Sequence, residues 1–417
     1  MTATHIHDAR AGFLDDAAAR GLVQACTDEA GLAAALAGGP VAGYAGFDAT
    51  ADCLHVGHLL PLMLLRRFQR AGHRPIVLLG GGTTRIGDPS FRDAGRPMLD
   101  ADGIARNVAG IRRVVARFLA FDGPDGAVMV DNAEWLDPLR FIDFLREVGR
   151  HFTVSRMLTF DSVRNRLDAG EGLTLMEFNY MVLQAFDFLH LSRERGCLLQ
   201  LGGSDQWGNI VNGIELARRV DRRQLFGLTA PLLATASGTK MGKTADGAVW
   251  LDPDRLGSFE LWQWWRNVDD RDAGRFLPMF TDLPLDECRR LAALRGSEAN
   301  AAKEALADGA VAIAHGADGL ARARAGRAAA FGADEAGLPE HAVPPGTDGT
   351  VPVAEVLVHC GLASSRNEAR RLIRDGGARL DGTVVTDPLA TLANERIAAG
   401  VRVSAGRKRH ARTRIGA

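Results

Sequence analysis

The chain has 417 residues, 46% hydrophobic and 24% charged, with a formal net charge of −1, which predicts two or three globular domains with ample buried core. No apolar run nears the ~18–20 residues a membrane span needs, and "MTATHIHDARAGF" has no charged-then-apolar signal-peptide pattern. The cysteines Cys26, Cys53, Cys197, Cys288 and Cys360 are scattered with no CxxC pair, so a disulfide framework and a structural zinc site are disfavoured and a reducing cytoplasm is expected.

Residues 12–39 predict short Ala-rich helices ending at "AGGP", and "VAGYAGF" (41–47) predicts a strand. An amphipathic helix follows through "HLLPLMLLRRFQRAG", with Pro61 in its first turn and Gly72 past its end, so it starts near His55–His58. A second strand, "PIVLLGG" (75–81), leads into the glycine-rich loop "GGTTRIGDPS". Strand, helix and strand within about 40 residues make a βαβ unit and a parallel sheet. Residues 103–195 predict a mostly helical insertion. The sheet then resumes with "CLLQLGG" (197–203), the helix "DQWGNIVNGIELARRV" and the strand "GLTAPLLAT", which runs into "SGTKMGKT". The expected fold is α/β: a Rossmann-like doubly wound parallel sheet over 1–245, whose ligands sit outside the carboxyl ends of the strands. A helical domain is expected over 246–337, with the tryptophans of "FELWQWWRNV" in its core. A Pro/Gly-rich linker is expected over 338–350 and a small α+β module over 351–417.

Charge is unevenly spread. From Val351 to Ala417 there are 12 Lys and Arg against 6 Asp and Glu, ending in "GRKRHARTR". The 50 basic residues are 46 arginines and only four lysines, Lys240, Lys243, Lys303 and Lys408, yet two of these fall within "KMGKT". That placement suits a need for a compact, flexible ammonium.

The pair His55 and His58 in "FDATADCLHVGHLLP" admits three readings. A metal site needs further ligands, and HVGH lacks both the glutamate of HExxH and a nearby Cys/His cluster. A buried structural pair is the ordinary alternative. The third reading follows from position: a strand-to-helix turn flanking Gly57, where backbone N–H groups and the helix dipole favour an anion.

On these residues the sequence resembles the class I aminoacyl-tRNA synthetases. "YAGFDATADCLHVGHLLP" is similar to their HIGH region and "KMGKT" to their KMSKS loop. "GGTTRIGDPSFRDAGRP", "EFNYMVLQAFDF", "LQLGGSDQWGNI" and "KMGKTADGAVWLD" extend the resemblance, in order along the chain, to the bacterial tyrosyl-tRNA synthetase family. The terminal module resembles an S4-type RNA-binding domain. Departures are small: Ala45 where cysteine is common, Ala49 where proline is common, Val56 for Ile, and Gly242 for the serine of KMSKS.

The resemblance implies activation of L-tyrosine by ATP, release of pyrophosphate and transfer to tRNA(Tyr) by a homodimer. Magnesium would accompany ATP, with no metal held by the protein itself. Such chemistry is mostly positioning and neutralisation of phosphate charge. Thr50, His55 and His58 would donate to the phosphates, Lys240 and Lys243 would approach the pyrophosphate, and Arg92 and Arg96 would add positive charge. Gly46, Asp48, Gly57, Gly203, Asp205 and Met241 would line the adenosine side together with Lys243. Tyr44 and Asp187 would meet the phenol hydroxyl. Asp88, Tyr180 and Gln184 would hold the α-amino group, with Gln200 and Gln206 lining the pocket. Tyr180 and Gln184, four apart, share one helical face. Tyr44 and Tyr180 are the chain's only tyrosines. In the terminal module, Arg366, Arg370, Arg371, Arg374, Arg407, Lys408 and Arg409 would contact RNA phosphates. A tryptophan-specific relative and a non-catalytic RNA-binding homologue are the competing readings. A phosphohydrolase is disfavoured for want of a metal cluster or Walker loop.

Overall fold

The computed structural model describes residues 10–89, 99–123, 125–170, 172–236, 238, 241, 243–244, 247–331, 338–406 and 409–416. The chain divides into two compact units: Met1–Gly242 with Arg271–Ala293, and Lys243–Asp270 with Leu294–Ala417.

The first unit is built on a six-stranded sheet of β1 (Ala25–Cys26), β2 (Ala42–Asp48), β3 (Arg74–Gly80), β4 (Val128–Asp131), β5 (Cys197–Gly203) and β6 (Phe226–Ala230), in the order β1-β6-β5-β2-β3-β4. All neighbours are parallel except the edge strand β1, antiparallel to β6. The apolar runs of β3 and β6 are buried along most of their length, as expected where helices cover both faces of a parallel sheet. The helix Leu59–Arg70 follows β2 and buries Leu62, Met63, Leu65 and Phe68. A Cβ at Gly43 would lie 2.9 Å from the Phe68 ring, so the missing side chain lets this helix close onto the sheet. From β2 the chain winds outward through β3 and β4, then returns to the other side of β2 through β5 and β6. The switch in direction opens a crevice at the carboxyl ends of β2 and β5.

Residues 103–195 are helical as expected except for β4, which adds a strand to the sheet edge through the short run "VMVD". The helix Leu175–Arg195 starts with a reciprocal Thr174–Glu177 capping box and stops at Gly196, in the left-handed region at φ 61°. Segment 271–293, expected with the helical domain, belongs to the first unit. Asp282 there accepts from Arg66 at 2.6 Å, Arg67 at 3.0 Å and Arg70 at 2.6 Å.

The second unit begins with a two-stranded antiparallel ribbon, β7 (Lys243–Thr244) and β8 (Gly247–Ala248). Its helix Ser258–Arg266 packs on the long helix Ala299–Phe331, which bends at Gly316 (φ 73°). Trp262 and Trp265 are buried, and the Trp262 indole N–H donates to Asp308 at 2.7 Å. The terminal module has its own core, with Val356, Leu357, Ile373 and Val403 fully buried. Its sheet comprises β9 (Glu340–Val343), β11 (Ala378–Leu380), β12 (Thr383–Val385), β14 (Arg402–Ala405) and β15 (Arg409–Ile415), in the order β12-β11-β14-β15-β9. Two remaining strands, β10 (Thr350–Pro352) and β13 (Thr391–Ala393), pair with each other. β9 runs parallel to β15, so the front of the stretch expected as a linker is sheet, pinned by the fully buried Val343. Among the described residues, no helix is long and apolar enough to cross a membrane.

Candidate active site

A cavity of about 250 Å³ occupies the crevice at the carboxyl ends of β2 and β5. The sheet register sets what faces it. β2 contributes Tyr44, Gly46 and Asp48, β5 contributes Gln200 and Gly203, and the helix Leu175–Arg195 crosses over them with Tyr180, Gln184 and Asp187. Thr50, Gly57, His58, Asp88, Asp205 and Gln206 also line it.

At the inner end Tyr44 is fully buried, its ring edge-on to Phe188 at 5.3 Å, and its hydroxyl has no hydrogen-bond partner among the described residues. Burial, reinforced by the nearby negative charge of Asp187, raises the phenol well above its usual value and keeps it a neutral donor. Asp187 is 1% exposed and receives the Trp135 indole N–H at 2.7 Å and the Asn132 amide at 3.0 Å. Burial outweighs these two donors and lifts its carboxyl to about 7. The Gln200 carbonyl oxygen is likewise buried and without a partner among the described residues. A buried end carrying a neutral O–H, a carboxyl and an amide oxygen is built to take another polar group, since such atoms are expensive to leave unmade.

In the middle of the cavity, Tyr180 donates to Asp48 at 3.2 Å. Gln184 donates to Gln206 at 3.2 Å, Gln206 donates to Asp88 at 2.7 Å, and Asn209 donates to Gln184 at 3.0 Å. This ring of carboxylate and amide oxygens suits an ammonium group. The outer end is glycine-lined. A Cβ on Gly46 would meet only Leu78 Cδ2, at 3.9 Å, so the backbone stands open to a flat ligand.

The short 3₁₀ turn Val56–His58 joins β2 to its helix. The Gly57 N–H donates to His55 Nδ1 at 3.0 Å and the His55 N–H to His58 Nδ1 at 3.2 Å. A ring nitrogen that accepts carries no proton, so with Nδ1 accepting, Nε2 is the nitrogen of each ring able to donate. Gly57 is required here: a Cβ would lie 2.7 Å from the His55 ring. The Met241 carbonyl approaches the same spot, 3.6 Å from that Cβ position, and the Met241 N–H donates to Leu233 at 2.9 Å.

The structure thus gathers in one cavity Tyr44, Gly46, Asp48, Thr50, Gly57, His58, Asp88, Tyr180, Gln184, Asp187, Gln200, Gly203, Asp205 and Gln206, with His55 and the Met241 backbone adjoining Gly57. Arg92, Arg96, Lys240, Arg407 and Lys408 lie outside the described residues. So does the side chain of Lys243, whose backbone opens β7. Arg366, Arg370, Arg371 and Arg374 are exposed on the helix Arg366–Arg374, and the exposed Arg409 opens β15. The charges of Arg409 and Arg371 both reach Glu368, whose carboxyl is held below its usual value first by hydrogen bonds from Ser364. Residues missed by sequence reasoning are Thr83, Asn132, Trp135 and Asn209, which hold the pocket's polar groups in place. For Thr83, Asn132 and Trp135 the only sequence signal was position: "GGTT" follows the carboxyl end of β3 and "NAEW" that of β4.

A family model described as tRNA synthetases class I (W and Y) matches residues 36–332, and an S4 domain model matches 351–389. The tyrosine–tRNA ligase of Rhodospirillum rubrum is 55% identical over 401 residues, covering 95% of this chain and 96% of its own. That of Paracoccus denitrificans is 51% identical over 411 residues, covering 98% and 99%. Among solved structures, a C-terminally truncated mitochondrial tyrosyl-tRNA synthetase of Coccidioides posadasii aligns with a TM-score of 0.64 at 30% identity, over 75% of this chain and 90% of that one.

Proposed function

The chain belongs to the class I tRNA synthetases of the tryptophan and tyrosine branch, and from that membership we propose how its cavity carries out the reaction. The activity is that of a tyrosine–tRNA ligase: ATP activates L-tyrosine to tyrosyl-adenylate, and the tyrosyl group passes to the 3′ end of tRNA(Tyr). In the first step a tyrosine carboxylate oxygen attacks the α-phosphorus, and the bond to the β-phosphate oxygen breaks, leaving pyrophosphate with the electron pair. A terminal ribose hydroxyl of the tRNA then attacks the activated carbonyl, loses its proton, and AMP departs.

The observation that carries the residue assignments is the buried pair Tyr44 and Asp187, a neutral donor and a carboxyl at the closed end of the cavity. A substrate phenol seated there accepts from Tyr44 and donates to Asp187. A ring without the hydroxyl leaves the buried Tyr44 hydroxyl unpaired and adds no donor to Asp187 beyond Trp135 and Asn132. Tyrosyl-tRNA synthetases are themselves the established example of this effect, rejecting phenylalanine by about 10⁵. Asp88, Tyr180, Gln184 and Gln206 hold the ammonium group, and Gln200 closes the pocket wall. Gly46, Asp48, Gly57, Gly203, Asp205 and Met241 take the nucleotide. Thr50, His55 and His58 donate to the phosphates as charge shifts toward the leaving group. Lys240 and Lys243, with Arg92 and Arg96, supply cations to the pyrophosphate.

Magnesium arrives with ATP. Its ligands would be mostly phosphate oxygens and water, and no group of three or more His, Cys, Asp or Glu able to hold a metal occurs among the described residues. The exposed apolar side chains of Phe141, Ile142, Leu145, Val154 and Leu158 support a homodimer formed through this face of the insertion. Arg366, Arg370, Arg371, Arg374 and Arg409, together with Arg407 and Lys408, bind tRNA phosphates in the cytoplasm, in a salt-dependent manner. Amino-acid-dependent exchange of labelled pyrophosphate into ATP, run across the twenty amino acids, tests the reading. Exchange with tyrosine is expected; exchange with tryptophan instead would overturn it.

A further inference from the structure

Asp187 at the inner end of the cavity and Asp48 in its middle are joined by one hydrogen-bond line, buried at its Asn132 links and partly buried at Asp48. Asn132, 1% exposed, donates one amide hydrogen to Asp187 Oδ2 at 3.0 Å and the other to the Thr83 hydroxyl at 3.0 Å. Thr83, 3% exposed, donates that hydroxyl to Asp48 Oδ1 at 2.9 Å. Asp48 Oδ2 in turn accepts from Tyr180 at 3.2 Å. The Asn132 carbonyl is held by the Gly82 N–H at 2.8 Å, which fixes the direction of the amide, so both its hydrogens point along the line. Thr83 and Asn132 sit after β3 and β4 respectively, strands that pair directly, so the sheet itself sets their separation.

Building on the functional reading above, we infer that Thr83 is a positioning residue for the reaction: through Asn132 it ties the carboxylate that selects the tyrosine hydroxyl to the Asp48 carboxylate beside the ammonium and nucleotide. The hydroxyl of Thr83 accepts and donates at once. It therefore passes the orientation of Asp187 to Asp48, and hydrogen bonds in series polarise and strengthen one another. A valine has the same shape and neither capacity. A serine keeps both.

The full-length chain carrying Thr83→Val is compared with Thr83→Ser, Asn132→Ala and the double variant Thr83→Val/Asn132→Ala. Pyrophosphate exchange gives KM for tyrosine and ATP and the preference for tyrosine over phenylalanine. Thr83→Val is expected to raise both KM values and reduce the preference by about fivefold or more, although Thr83 does not touch Asp187, as loss of a buried hydrogen bond of about 1 kcal/mol would do. Thr83→Ser stays within about twofold of the parent, and the double variant loses less than the product of the single losses. If Thr83→Val fails to fold, Thr83→Ala carries the same expectation. The inference is overturned if the hydroxyl-less variant keeps the parental preference and KM values, if serine is as impaired as valine, or if the losses multiply. A parent that does not exchange with tyrosine overturns the functional reading instead, so the two failures are separable.

Discussion

His55 and His58 stand with ring centroids 4.1 Å apart, and the backbone N–H of His55 donates to the Nδ1 of His58 at 3.2 Å. Together with the Gly57 N–H on His55 Nδ1, this commits the Nδ1 of both imidazoles to accepting from backbone and leaves Nε2 as the ring nitrogen able to donate. Under the proposed reading they donate where charge develops, and such donors favour the transition state over bound substrate. His55→Ala and His58→Ala are each expected to lower the rate of adenylate formation by about 10²-fold, with tyrosine affinity within about twofold of the parent. Single-turnover kinetics with a separate tyrosine-binding titration checks both parts; a matching loss of affinity would place the rings in substrate binding instead.

The buried carboxyl of Asp187, raised by desolvation to about 7, gives a pH dependence of definite sign. Its folded value lies above the unfolded ~3.9, so its contribution to stability is fully present below about 4 and is lost as the pH rises through about 7. Bound tyrosine adds a third donor to a group that already accepts from Trp135 and Asn132 and so favours the ionised form. Tyrosine binding near pH 7 should release a proton, and its KM should fall as the pH rises from about 6 to about 8. Calorimetry in buffers of different ionisation enthalpy measures the released proton. No buffer dependence at pH 7 would mean that the carboxyl is already ionised in the empty cavity.

Gly46, inside β2, and Gly57, in the turn that follows it, predict opposite phenotypes. At Gly46 a Cβ makes only ordinary contact with Leu78 Cδ2 at 3.9 Å, whereas at Gly57 it would lie 2.7 Å from His55 Cε1. Gly46→Val should melt like the parent yet raise KM for ATP at least about tenfold, because the new side chain occupies the space of the nucleotide. Gly57→Ala should displace the His55 ring and lower kcat, with a smaller effect on KM for ATP. Melting curves and ATP-dependent exchange separate the two cases; a Gly46→Val protein with parental ATP affinity would remove the nucleotide from that end.

The strands that build the crevice were legible because they carry strong local signals. β5 matches the apolar run "CLLQLGG", and the helix after His58 carries Pro61 in its first turn and stops just before Gly72. Tyr44, Tyr180, Gln184 and Asp187 lay in stretches that resembled a known family. β4 was not legible. Its four residues, "VMVD", lie at the sheet edge in a run too short to show a period, and what stabilises them is pairing with β3, a non-local contact. Thr83, Asn132 and Trp135 were missed for a related reason. Each is an unremarkable polar or aromatic residue after a strand, and only the lateral order of β3 and β4 brings them together around Asp187. The expected linker hid β9 in the same way, since "EHAV" gains its strand from β15, far along the chain.

Asp282 tests why segment 271–293 belongs to the first unit. Its carboxylate accepts from Arg66 and Arg70 at 2.6 Å and Arg67 at 3.0 Å, all from the helix that follows His58. Burial opposes the charge, but the hydrogen bond from Arg66 and the charges of all three arginines hold its pKa below the ordinary carboxylate value. Asp282→Asn would remove the carboxylate on which three guanidiniums converge, one of them the largely buried Arg67, at a cost of about 1.5–3 kcal/mol. The sign is opposite to that of Asp187: a depressed folded pKa adds stability above the unfolded ~3.9 that is lost as the pH falls through the folded value. The stability gap between parent and Asp282→Asn should therefore be constant from pH 7 to about 5 and narrow below about 4. Urea titrations across that range measure the gap. A gap that stays constant to about pH 3 would show that Asp282 acts through shape and hydrogen bonding, with no contribution from its charge.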